Sequence, residues 1–178
     1  LRHKLGCLFD VAERHNLPLD VHVDEGLDPD ARGLRAIADL AMERSVRTPI
    51  VCGHACSLSA QPLDEAQETL QACLGAGIHL VALPTTNLYL QGAWDTTPVA
   101  RGITRMREAA ALGLACSIGS DNVADPFYPY GSYDLFETFG LAVQMAHLAP
   151  AQAWLAAITV HPARAMGLQW DGLIAEGC

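Results

Sequence analysis

The stretch "DVHVDEG", residues 20–26, decides how the chain is read. Val21 and Val23 alternate as in a buried strand, yet Asp20, His22, Asp24 and Glu25 crowd ionisable groups into the same few positions. A strand that ends in such a cluster fits a parallel βα fold, because those folds carry their ligand sites at the carboxyl ends of the strands. Four strands are expected: "LPLDVH" (17–22), "TPIVCGH" (48–54), "GIHLVALP" (77–84) and "GLACSIGS" (113–120). Each is almost wholly apolar, the pattern of a strand covered on both faces.

Helical stretches separate these runs. They are "DPDARGLRAIADLAMERS" (28–45), which starts at Asp-Pro, "QPLDEAQETLQACLGAG" (61–77) and "VARGITRMREAAALG" (99–113), both of which stop at a glycine. Strand ends recur roughly every 30 to 36 residues, a spacing typical of a (β/α) barrel or a doubly wound sheet. After the fourth strand come the loop "DPFYPYGSYD" (125–134) and then mostly helix. The expected fold class is α/β, as a single domain or a piece of one spanning 1–178.

Composition narrows the partners. The chain has 178 residues, 51% of them hydrophobic, enough for one sizeable core. A formal charge of -9, with only 11 Lys plus Arg and no basic cluster, argues against nucleic acid and for a small neutral or cationic ligand. The six cysteines are scattered without a C-x-x-C pair, so buried free thiols in a reducing cytoplasm are expected. No apolar run reaches the roughly 20 residues that span a bilayer, and no leader is recognisable. No glycine-rich phosphate loop follows any strand, which disfavours a flavin or nucleotide site.

The strand ends carry the chemistry. They read His22-Val23-Asp24-Glu25, His54, Pro84-Thr85-Thr86-Asn87 and Ser120-Asp121-Asn122. Strands converging on one mouth would gather His22, Glu25, His54 and Asp121. Imidazole and carboxylate suit zinc or ferrous iron, and such an ion brings the pKa of bound water towards neutrality. His22 and Asp121 are the candidate ligands, Glu25 the general acid/base, and His54 a polarising or proton-shuttling group. Two protein ligands are too few for a catalytic ion, so others must come from elsewhere. His79 and His147 read as structural histidines, the second within a helix, and Asp24 as a cap for the segment that follows.

The motifs "DVHVDE", "GHACSLS", "LPTTNLYLQGAWDTTPVARGITRMREA", "GSDNVADPFYPYGSYDLFE" and "ITVHPARAMGL" together resemble the cytosine deaminase branch of the amidohydrolase superfamily over nearly the whole chain. The resemblance implies part of a TIM barrel, strands five to eight with their helices, with the N-terminal half and a C-terminal small β-domain absent. It implies one divalent metal, iron or zinc, on His22 and Asp121, with Glu25 as proton shuttle, and with His54 and Asp121 assisting attack of water on the carbon that bears the exocyclic amine. Asn122 and Phe127 would line the substrate pocket; they stand where cytosine deaminases carry an aspartate and a tryptophan. The family's His-x-His ligand pair has no counterpart in this sequence, so the isolated chain is expected to be inactive. The implied substrate is cytosine or a related cyclic amidine, and the implied full-length protein is cytoplasmic and homo-oligomeric. The alternatives are an amide- or carbamate-cleaving amidohydrolase and a non-catalytic barrel piece with a binding or structural role.

Overall fold

The computed structural model describes residues 1–176. Four parallel strands, β1 (Leu19–Val23), β2 (Ile50–His54), β3 (Ile78–Ala82) and β4 (Cys116–Ile118), lie side by side in sequence order. Helix α1 (Arg2–His15) precedes β1, α2 (Gly33–Arg44) joins β1 to β2, and α3 (Leu63–Gly75) joins β2 to β3. Two shorter helices, α4 (Pro84–Leu90) and α5 (Met106–Ala111), fill the crossover from β3 to β4. Beyond β4 follow α6 (Leu135–Met145), a 3-10 helix (Ala151–Ile158) and α7 (Val160–Ala165). A doubly wound sheet reverses its strand order at a switch point. This sheet never does, which is the order of consecutive barrel strands.

Strand pairing sorts the side chains onto two faces. Leu19, Ile50 and Ile78 form one row and Cys52, Leu80 and Cys116 the next, all buried in one core with Leu34 and Ile37 of α2 and Leu70 of α3. Each fully buried Leu or Ile contributes about 1.5–3 kcal/mol. The opposite face carries Asp20 beside Val51 and His79, then His22 beside Gly53, Val81 and Ser117. Helices do not cover this face as they do the first: Asp20 and His22 are exposed and His79 half-buried. Coverage of both faces, expected from the apolar runs, is therefore not what the described residues show.

Several boundaries differ from the sequence expectation. Residues 28–31 form a turn, with the Ala31 N–H donating to the Asp28 carbonyl at 3.2 Å, and α2 starts only at Gly33. Strand β3 stops at Ala82, and Pro84 opens a helix, a position where its missing N–H costs nothing. Residues 99–105 are not helical, and α5 begins at Met106. His147 lies past the end of α6 in a left-handed conformation (φ 52) rather than within a helix.

Asp24 explains the late start of α2. Its carboxylate accepts from the N–H groups of Gly33 (3.0 Å) and Leu34 (2.8 Å), so a residue at the end of β1 caps a helix nine residues on. Gly33 is glycine because a Cβ there would stand 2.4 Å from Asp24 Oδ1 and 2.7 Å from Val23 Cγ2. Gly33→Ala should cost about 1–3 kcal/mol through displacement of this cap; urea denaturation would measure it, and an unchanged midpoint would contradict the reading.

His79 donates to or accepts from Ser117 Oγ at 2.7 Å on the uncovered face. Burial, helped by nearby His161, pushes its pKa down to about 4 from 6.5. The unfolded chain then binds the extra proton first, so His79 favours the native state above pH 6.5 and that contribution is lost as pH falls from 6.5 towards 4. Acid unfolding compared between wild type and His79→Gln should show a shallower dependence in the variant across that window. A parallel pair of curves would sink the assignment.

Cysteines 52, 56, 73 and 116 are buried free thiols and Cys7 is an exposed one. Cys178 lies outside the described residues. Burial pushes the Cys56, Cys73 and Cys116 thiols up to about 12, so they stay protonated and unreactive. Among the described residues no helix is long and apolar enough to cross a membrane.

Candidate active site

At the carboxyl ends of β1 and β2 the backbone turns sharply. Asp24, His54, Ala55 and, after β4, Asp121 all have positive φ (48, 72, 50 and 62) although none is glycine. Such conformations cost of order 1 kcal/mol or more each and gather where function fixes them. At His54 the turn matters most. Its partner in the sheet is Val23, which faces the helices, and the left-handed turn swings the imidazole back toward the mouth.

The local framework is well bonded. The Ala55 N–H donates to the Val23 carbonyl (3.0 Å) and the Ser57 N–H to the Asp24 carbonyl (3.0 Å), stitching the ends of β1 and β2 together. Thr104 Oγ1 donates to the His54 carbonyl at 2.5 Å. Gln91 Nε2 donates to the Glu25 carbonyl at 2.6 Å, and its Oε1 accepts the Gly102 N–H at 2.5 Å.

His22, Glu25 and His54 come together here. Their potential ligand atoms all lie within 4.8 Å of one another. His54, 1% exposed, has Nε2 2.8 Å from His22 Nδ1, and its Nδ1 faces Asn87. Glu25 Oε1 is 3.6 Å from His54 Nδ1 and accepts from Asn87 Nδ2 at 3.5 Å. Both ring nitrogens of His54 are therefore engaged within the protein, whereas among the described residues Nε2 of the exposed His22 makes no hydrogen bond.

Asp121 lies outside that group of three. It is near enough to share their field: partial burial pushes its carboxyl up, His54 and His22 pull it down, and Glu25 and Asp125 push it up again. Asn122 is tied elsewhere, its Nδ2 donating to Asp125 Oδ2 at 2.5 Å and its N–H to Thr86 Oγ1 at 3.1 Å. Phe127 is 62% exposed on the same loop, which Asp125 organises by accepting from the Phe127 and Tyr128 N–H groups (both 2.9 Å). Among the described residues, neither side chain hydrogen-bonds to or stacks on His22 or His54. Tyr128 and Tyr130 of this loop form an edge-to-face aromatic group with Tyr89 and Trp94, with centroids 5.3–5.9 Å apart.

Sequence reading left Asn87, Gln91 and Thr104 without roles. The signal was present, since Asn87 lies within α4 and Gln91 directly follows its last residue, but it shows only once residues 84–90 are read as a helix rather than a strand end.

The donor set fits a first-row divalent ion: imidazole and carboxylate, with one ring nitrogen unclaimed.

Comparison with known proteins agrees with this architecture. The chain is 38% identical over 176 residues to a pterin deaminase of Rhizobium rhizogenes, a match that covers 98% of this chain and 40% of the relative. It superposes on 5-methylcytosine deaminase from Klebsiella pneumoniae, crystallised with 5-fluorocytosine, with a TM-score of 0.89 at 27% identity, covering 99% of this chain and 43% of that one. N-isopropylammelide isopropylaminohydrolase from Burkholderia multivorans shares the fold at a TM-score of 0.78 and 23% identity. The chain thus spans about 40% of the length of the curated relative it matches. The amidohydrolase family profile matches residues 3–178, and with the uninterrupted parallel sheet and the histidines and carboxylates at its strand ends, the chain belongs to the amidohydrolase family.

Proposed function

We propose that this chain supplies strands five to eight of an amidohydrolase barrel and half of a metal-dependent site that hydrolytically deaminates an aminopyrimidine ring, either free, as in cytosine, or fused, as in pterin. The observation that carries the reading is Glu25 held within 3.6 Å of a buried, doubly bonded His54 beside a His22 with one free ring nitrogen. Relatives named for pterin and 5-methylcytosine deamination support the substrate class. Iron or zinc held by His22, Asp121 and protein ligands outside this chain would supply Lewis acidity and an activated water.

The chain's own residues do the proton work. Glu25 takes a proton from the attacking water and delivers it to the ring nitrogen next to the carbon bearing the amine. His54, with both ring nitrogens engaged by Asn87 and His22, holds those side chains and Glu25 in place around the reacting carbon. Glu25 then carries the remaining proton of the added hydroxyl to the exocyclic amine, the C–N bond breaks, ammonia leaves and a ring carbonyl remains. Asn122 and Phe127 sit on the loop that would border the ring.

A substrate panel tests this. The protein with its barrel complete should release ammonia from cytosine, 5-methylcytosine or pterin and leave the corresponding oxo ring. A carboxylate product from an acyclic amide, with no ammonia from any aminopyrimidine, would replace this reading with an amide-cleaving one.

A further inference from the structure

Asn87 is 1% exposed, sits on α4, and touches two residues from two other strand ends. Its amide has Nδ2 2.9 Å and Oδ1 3.3 Å from His54 Nδ1, and Nδ2 also donates to Glu25 Oε1 at 3.5 Å. His54 continues the chain through Nε2, 2.8 Å from His22 Nδ1. Four side chains thus form one hydrogen-bonded line: His22, His54, Asn87, Glu25.

A line of this kind has two self-consistent polarities. In the first, Asn87 Nδ2 donates to an unprotonated His54 Nδ1; the His54 proton is then on Nε2 and points at His22 Nδ1, which leaves the His22 proton on Nε2. In the second, His22 carries its proton on Nδ1 and donates it to His54 Nε2, so His54 carries its proton on Nδ1 and donates to Asn87 Oδ1, while Asn87 Nδ2 serves Glu25 alone. Each imidazole holds one proton in both arrangements, so the exchange releases none. Only the second leaves a lone pair on His22 Nε2, the nitrogen not used within the protein.

We propose that Asn87 is a positioning residue that ties His54 to Glu25 and sets which nitrogen of His54 is protonated, so that a metal ion on His22 Nε2 switches the whole line to the second polarity. An amide suits this position because it offers a donor and an acceptor to the same pair of neighbours without turning over. A carboxylate there can only accept, and a leucine can do neither. The metal part rests on the reading of His22 as a ligand; the Asn87–His54 coupling does not.

The test is 15N NMR of histidine-labelled protein, which separates protonated from unprotonated ring nitrogens, with and without Zn2+. In wild type the His54 proton should lie on Nε2 without metal and on Nδ1 with it. In Asn87→Asp it should lie on Nδ1 under both conditions. In Asn87→Leu, zinc affinity should fall roughly 10- to 100-fold, as when a ligand's hydrogen-bonded support is removed. A His54 tautomer that is the same in wild type and Asn87→Asp without metal would overturn the proposal. If that tautomer differs but does not respond to Zn2+ in wild type, the coupling stands and the assignment of His22 as ligand fails.

Discussion

Glu25→Gln should lower the rate of ammonia release by about 10^2- to 10^4-fold, the usual weight of a positioned general acid/base. The reason is local. Glutamine keeps the shape of Glu25 and an oxygen that can accept from Asn87 Nδ2, now 3.5 Å away, and the Gln91 bond to the backbone carbonyl at residue 25 does not involve the side chain at all. What it loses is the ability to pick up a proton and pass it on. Residue 25 is only half-buried, so stability should stay within about 0.5 kcal/mol of wild type and metal content should not change. Retention of more than a tenth of the wild-type rate would remove Glu25 from the proton path.

The second large effect is expected at His22. His22→Ala deletes a ligand and also takes the partner from His54 Nε2, which sits 2.8 Å from it in a residue only 1% exposed. Metal affinity should drop by at least about 100-fold, more than the loss of a supporting group causes, and activity should fall with it. Leaving one buried ring nitrogen without a partner should add a destabilisation of about 1–3 kcal/mol. Elemental analysis and thermal unfolding measure the two parts separately. Full metal occupancy in the variant would place the ion elsewhere.

Much of this site was legible in the sequence. His22, Glu25 and His54 were found from polar residues closing apolar runs, and the structure brings those three together because parallel strands in sequence order put all their carboxyl ends on one side. Helices α2 and α3 and all four strands were found as well, each from its own hydrophobic period. What the sequence hid were effects of distant partners. Asp24 caps Gly33 and Leu34 across a loop, so local propensity, which favoured a start at Asp28-Pro29, misplaced the start of α2. Residues 99–105 look helical, yet the Gly102 N–H donates to Gln91 Oε1 and Thr104 reaches the His54 carbonyl, and those bonds hold the segment out of a helix. Asn87 stood out as polar at the third strand end but received no role, because the apolar run before it read through Pro84 as strand. Asn122 and Phe127 had a place in the motif, but the bond from Asn122 to Asp125 depends on a turn whose geometry no pattern of residues displays.

The account stands on His22 as a metal ligand beside Glu25 and His54. Anomalous diffraction from crystals of the complete protein loaded with zinc tests this most directly. The account predicts one strong peak at bonding distance from His22 Nε2 and the Asp121 carboxylate, with His54 Nε2 still on His22 Nδ1. A fully occupied ion bound away from His22, or none in protein that still releases ammonia from an aminopyrimidine, would contradict it.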